Sequence, residues 1–132
     1  MSNPESNLHA ALMAKVEVMA TALGYDVLYP QKGGDAPAGE HVRAYQLPND
    51  NEAAGISSQV YNRQGFLVLT LVSPMGEYEV VTKDKAGAIA AYFPRGPFGA
   101  SGITIQGHTV KQGREEGERW ETPIWIEYWS QT

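Results

Sequence analysis

The chain has 132 residues, 42% of them hydrophobic, and no cysteine, which is enough for one independent core burying roughly two-thirds of the unfolded surface and excludes disulfides and thiolate metal sites. A formal net charge of −5 speaks against a basic face that wraps nucleic acid. An N-terminus of Asn, Pro, Glu and Ser and a longest apolar run of only Phe66 to Val72 predict no signal peptide and no membrane span, hence a soluble, intracellular, acidic domain.

Leu8, Leu12, Val16, Met19 and Leu23 recur at spacings of four, four, three and four. This is the period of one helix face. Pro4 suits the first helical position after Asn3 as cap, and Gly24 suits a left-handed C-terminal cap. Lys15 is the only basic residue in this segment, so it reads as a core helix rather than a membrane-surface helix. Tyr25 to Tyr29 reads as a short strand, and Gln31 to Glu40, with three glycines and Pro37, as a loop. His41 to Leu47 is a second strand closed by Pro48, and Asn49 to Gly55 a polar loop.

Ser57 to Asn62 and Phe66 to Val72 both read as strands, with Gly65 between them marking either a hairpin or a bulge in one strand. Phe66, Val68, Thr70 and Val72 point one way, and Leu67, Leu69 and Leu71 the other. Both sets are largely apolar, so this strand is central and covered on each side. After Ser73, Pro74 and Gly76 a second helix is predicted over about Glu77 to Phe93, with Val81, Ala88, Ile89, Tyr92 and Phe93 as its apolar stripe, ended by Pro94, Gly96 and Pro97. Ile103 to Val110 is a strand, Lys111 to Arg119 a charged mobile loop, and Thr122 to Ser130 the last strand. Ile124, Ile126 and Tyr128 share one of its faces; Trp125, Glu127 and Trp129 share the other.

Helix, several strands, helix and two strands make an α+β fold: two helices packed on one face of a mixed or antiparallel β-sheet, in a single domain over residues 1–132. Two helices cover one face of such a sheet. The second apolar face needs another partner, and Leu67, Leu69 and Leu71 with Trp125 and Trp129 are the candidate interface.

No catalytic constellation emerges. His9, His41 and His108 are not at metal-ligand spacing, and Ser101 fails the nucleophile-elbow pattern. Gly96, Gly99 and Gly102 follow a helix rather than a strand and precede no lysine, so they form a connector and not a phosphate loop. Glu115, Glu116 and Glu118 sit among Lys111, Arg114 and Arg119 as a solvated charge run, and Lys83 and Lys85 flank Asp84 on a helix surface. The expectation is a non-enzyme without cofactor or metal.

In chain order the sequence resembles the phage tail terminator-like family. The resemblance is carried by the helix Leu8 to Leu23, the Tyr29-Pro30 step, and Ala44-Tyr45-Gln46-Leu47-Pro48. Arg63-Gln64-Gly65-Phe66 then enters an apolar strand ending Ser73-Pro74-Met75-Gly76, followed by Tyr92-Phe93-Pro94 and the closing strand Pro123 to Ser130. The Gly-rich segment Gln31 to Glu40 departs from the pattern. The resemblance implies a virion protein, made in the host cytoplasm, that forms a homohexameric ring on the head-proximal end of the tail tube. Such a ring stops tube growth and presents a surface to the head–tail connector. Its partners would be itself, the tail tube protein and the connector, without sequence-specific nucleic acid or membrane. Another neck, head–tail joining or tail-completion role is the alternative, and a small-molecule-binding domain a third. A ring needs a heterologous interface. Six copies at −5 each make −30, which suits an acidic bore that repels passing DNA. Asp50, Glu52, Arg114, Glu115, Glu116 and Glu118 are the candidate docking or lumen residues.

Overall fold

A computed structural model describes residues 4–29, 39–48, 52–53, 61–76, 78–98 and 102–131. Among these it contains two helices and eight strands, in the order α1 (Pro4–Leu23), β1 (Asp26–Leu28), β2 (His41–Pro48), β3 (Glu52–Ala53), β4 (Tyr61–Pro74), α2 (Glu79–Ala90), β5 (Gly96–Phe98), β6 (Ile103–Val110), β7 (Arg114–Glu116) and β8 (Arg119–Gln131). The expected α+β arrangement is present.

The helical repeat from Leu8 to Met19 forms the inner face of α1: Leu8, Leu12, Val16 and Met19 are buried and Leu23 packs against them. Gly24 stops the helix with φ of 78°, which a residue with a Cβ adopts only at a cost. Its N–H and that of Tyr25 both reach the Ala20 carbonyl, at 2.8 and 2.9 Å. The 6→1 bond from Tyr25 belongs to a Schellman-type cap. The Tyr29 hydroxyl donates to Glu17, tying the chain beyond β1 back to the helix. The proposed Asn3 cap lies outside the described residues.

Strands run β1-β2-β4-β8-β6-β5 across one sheet, with β3 beside β4 and β7 beside β8. Only β1–β2 is parallel. Its axis is the β4–β8 pair, registered without interruption from Asn62↔Gln131 to Pro74↔Arg119. Gly65 therefore marks neither hairpin nor bulge. It faces Tyr128 on one side and Pro48 on the other within a continuous strand. The irregularity falls in β6, between Ile105 and Gly107.

Lys111 to Arg119 is not a free loop. Arg114–Glu116 pairs back onto β8, and a two-residue turn, Gly117-Glu118, joins them. Gly117 has φ of 63° while Glu118 is not among the residues of positive φ, as a type II′ hairpin turn requires. The charged sequence hid a strand because both faces of β7 are wet. Residues 31–38 of the Gln31 to Glu40 segment, the strand expected from Ser57 apart from Tyr61 and Asn62, and all of Asn49 to Gly55 except Glu52 and Ala53 lie outside the described residues.

α2 is shorter than expected, and its inner face differs in part. Its buried residues are Thr82, Ala86, Ile89 and Ala90, with Phe93 just beyond, whereas Val81 is 38% exposed and Ala88 is also exposed. Ile89 and Phe93 of the expected stripe are buried and Tyr92 packs against the core, so periodicity found the inner face in part and erred at Val81 and Ala88. Pro97, expected only as a stop, lies in edge strand β5, where a missing N–H is tolerated.

Both helices join one core. It contains the inner faces of α1 and α2, Val42 and Ala44 of β2, Leu67, Leu69 and Leu71 of β4, Ile103 and Ile105 of β6, and Ile124, Ile126 and Tyr128 of β8. α1 lies over β1 and β2, α2 over β4, β6 and β8. Gln46 crosses the core's rim: its amide donates to the Tyr128 hydroxyl at 2.7 Å while its oxygen lies 2.8 Å from His9 Nδ1. Burial pushes the Tyr128 hydroxyl above its ordinary range, with the Gln46 bond opposing.

Candidate assembly surface

Alternation along β4 assigns every side chain to one of two faces. Leu67, Leu69 and Leu71 have no exposed surface and lie beneath the helices. They therefore cannot form the bare face, and the grouping of these leucines with Trp125 and Trp129 is corrected. Leu67 registers with Ile126 and Leu69 with Ile124, whereas Trp125 registers with Val68 and Trp129 with Gln64. The tryptophans belong to the opposite, helix-free face.

That face has two halves. In one, Val68 sits between Tyr45 and Trp125, and Phe66 between Leu47 and Glu127. Phe66 and Trp125 meet edge-on with ring centroids 5.0 Å apart, a favourable aromatic geometry, and the Lys111 ammonium lies 5.1 Å from the Trp125 ring centroid, in cation–π range. Val68 is covered by its neighbours, but Tyr45 and Leu47 remain 37% and 42% exposed, with Phe66, Trp125 and Trp129 half-buried.

In the other half polar groups do the covering. Arg43 reaches across β4 to Glu121 with two hydrogen bonds of 2.8 and 3.3 Å, above Thr70 and Val72, both 3% exposed. Beside this pair, the Gly39 carbonyl lies 2.9 Å from His41 Nδ1 and 3.2 Å from Arg119 Nη1. This half is closed by the chain itself.

A second apolar cluster lies on the helix side of the sheet. Met75, Tyr78, Val80 and Val81, at the start of α2, are 45%, 81%, 63% and 38% exposed. Sequence reading missed it, along with Tyr45, Leu47 and Phe66. The available signal was the close apolar group Tyr78, Val80 and Val81, only part of which one helix face can bury. A cleft of about 150 Å³ between Pro74, Met75, Gly76, Glu79, Thr82 and Trp120 adjoins this corner. Gln112 donates to Glu79 at 2.6 Å, and Lys83 lies 3.4 Å from the same carboxylate. The Gln112 bond, then the Lys83 charge, hold the Glu79 carboxyl below its usual range.

Glu115, Glu116 and Glu118 are exposed on the β7–β8 hairpin, with Arg114 3.8 Å from Glu116. Glu52 pairs with Asn62 through the backbone of β3, and Asp50 lies outside the described residues. Among the described residues no group of three or more His, Asp or Glu side chains is placed to hold a metal. No described helix is long and apolar enough to cross a membrane.

A family model described as phage tail terminator protein matches residues 7–128. The chain belongs to the phage tail terminator family. Membership makes it a structural component of a phage tail, in a family not known for enzymes. A solved structure that carries no functional description superimposes with a TM-score of 0.76 at 21% identity, over 100% of this chain and 97% of its own. At that identity the likeness shows the fold. No curated protein matches.

Proposed function

We propose that this tail terminator assembles as a ring, taken as a hexamer, on the head-proximal end of the tail tube. There it ends tube polymerisation and supplies the seat for the head–tail connector. The observation that carries this reading is the half-covered aromatic face of the sheet, with Trp125 and Trp129 at its centre, in a chain of a tail family. An apolar surface of that kind marks association. Its partners are further copies, the tube protein and the connector. The acidic hairpin tip, Glu115, Glu116 and Glu118, is proposed to face the lumen, where repulsion keeps DNA from sticking, with Asp50 and Glu52 as further candidates.

Polymerising tail tubes with and without the purified chain, and measuring tube lengths and end density by electron microscopy, tests the reading. Arrested tubes capped by a ring are expected, and Trp125→Glu should abolish capping. Unchanged tube lengths at saturating protein would sink the proposal. Reversing the three hairpin glutamates to lysine should create duplex binding that fades with salt while capping survives. Loss of capping without DNA binding would place the hairpin on the docking face.

A further inference from the structure

Residues 111–113 touch both sides of the sheet. β4 runs along one edge of β8 for its whole length, so β6 and β7 share the other. Between Val110↔Ile124 and Arg114↔Glu121 the outer chain advances four residues while β8 advances three. The Lys111 N–H still reaches the Pro123 carbonyl at 2.8 Å. The surplus residue therefore falls at Gln112 and Gly113, which together oppose Thr122 with the count of a β-bulge. Bulges re-aim side chains, and this one sends consecutive residues to opposite faces. Lys111 lies over the Trp125 ring on the helix-free face. Gln112 donates to Glu79 at the start of α2. Buried Gly113 packs against Trp120, whose ring lines the cleft beside Met75, Glu79 and Thr82 on the helix side.

The closed bulge is weakly held and is opposed from beneath. Lys111 and Gln112 are exposed, so their contacts with Trp125 and Glu79 compete with water. Below them Trp120 Nε1 is buried without a hydrogen-bond partner among the described residues. An unpaired buried donor works against closure, because lifting the bulge would return it to water. A segment of this kind opens locally without unfolding the sheet.

We infer that residues 111–113 form a strap poised between a closed and an open arrangement, and that it couples the aromatic face of the sheet to the start of α2. A contact that draws Trp125 away from Lys111 frees the strap, hydrates Trp120 and loosens the Gln112–Glu79 bond. A contact that fixes the first turn of α2 keeps Lys111 on its ring, since linkage makes the coupling reciprocal. The exposed groups on the two sides, Tyr45 and Leu47 on one and Met75, Tyr78 and Val80 on the other, then respond to each other within a single subunit. This goes beyond the ring reading and does not depend on it.

Two properties of the folded chain test it by NMR: hydrogen exchange of the Trp120 indole N–H and the titration midpoint of the Glu79 carboxyl. Lys111→Met and Gln112→Ala release the strap from opposite sides, and each should speed Trp120 exchange by at least about tenfold over a slow wild type. Trp125→Ala keeps every charge and acts from the helix-free face, yet it should raise the Glu79 midpoint. Trp125→Phe, which still offers Lys111 a ring, should restore most of the wild-type value. Faster exchange in Gln112→Ala alone overturns the coupling, because the strap is then held from the α2 side only. A Glu79 midpoint unmoved by Trp125→Ala overturns it as well. So does a wild-type Trp120 indole that exchanges as fast as a free one, since there is then no closed arrangement to open.

Discussion

The two sides of β4 are almost equally rich in apolar residues, yet they are completed differently. Leu67, Leu69 and Leu71 are covered by α1 and α2 from the same chain. Among the described residues, Phe66, Val68, Thr70 and Val72 are covered by what neighbouring strands bring: Tyr45 and Trp125 over Val68, the Arg43–Glu121 pair over Thr70 and Val72. The difference lies in the reach of the covering groups. Two helices over a sheet bury the side chains beneath them outright, whereas cross-strand neighbours shield the strand's middle and leave their own outer surfaces in water. The first arrangement stabilises the subunit, and the second leaves Tyr45 and Leu47 exposed.

The sharpest way to break this contrast is to truncate each side. Leu69→Ala removes a fully buried side chain and should cost about 2–5 kcal/mol, read as a lower urea midpoint with unchanged slope. A change below about 1 kcal/mol would mean the helix-side core repacks freely.

Next comes the ion pair. Glu121→Gln leaves Arg43, whose side chain is 31% exposed, without its counter-charge. The loss should be about 1–3 kcal/mol, below that of a fully buried pair because water reaches the arginine. Glu121→Gln combined with Arg43→Gln should recover part of it in a double-mutant cycle, and strictly additive losses would show that the pair contributes no coupling.

Much of this contrast was readable from the chain. The i, i+3, i+4 repeat found the inner face of α1, and strict alternation separated Leu67 from Phe66 and Ile126 from Trp125. Which alternating set faces the helices was not readable, because both sets on β4 are apolar. Combining β4 with β8 needs their register, a non-local fact. The α2 stripe was right at Ile89 and Phe93 and wrong at Val81 and Ala88, because Val80, Val81, Ala88 and Ala91 add apolar residues outside the face that Thr82, Ala86 and Ile89 define. β7 was hidden by its charges. The Gln46 bridge between His9 and Tyr128 joins residues far apart in sequence that no motif connects.

Gly113 shows a constraint of space on a single residue. A Cβ built there would fall 2.2 Å from Trp120 Nε1, so the position needs glycine for space. Gly113→Ala should cost about 1–3 kcal/mol by overpacking, with a shift in tryptophan fluorescence. The cost should shrink sharply in a Trp120→Phe background, and equal losses in both backgrounds would assign it to the backbone instead.

On the bare face, Trp125→Ala should leave the subunit folded. It removes one half-buried ring and the edge contact with Phe66, a loss of about 1–2 kcal/mol, well under that of Leu69→Ala. Tube capping should nevertheless fail. A capping-competent Trp125→Ala chain, or one destabilised as much as Leu69→Ala, would erase the distinction between the two faces.

The smallest expected effect lies at Glu79, where α2 meets the chain leading into β7. The Gln112 amide and then the Lys83 ammonium favour its carboxylate, so its folded-state pKa lies below its unfolded one. The sign follows: the unfolded state binds the proton more readily, so the stabilisation is fully present above the ordinary carboxylate range and fades as pH falls through the folded value. The side chain faces water, and salt should weaken the Lys83 contribution while sparing the Gln112 hydrogen bond. Titrating the Glu79 carboxyl carbon by NMR in the wild type and in Gln112→Ala checks this. Removing the amide should move the midpoint up toward the ordinary glutamate value, further than raising the salt does. A midpoint that moves with salt but not with Gln112→Ala would show that charge rather than the hydrogen bond holds this corner of α2.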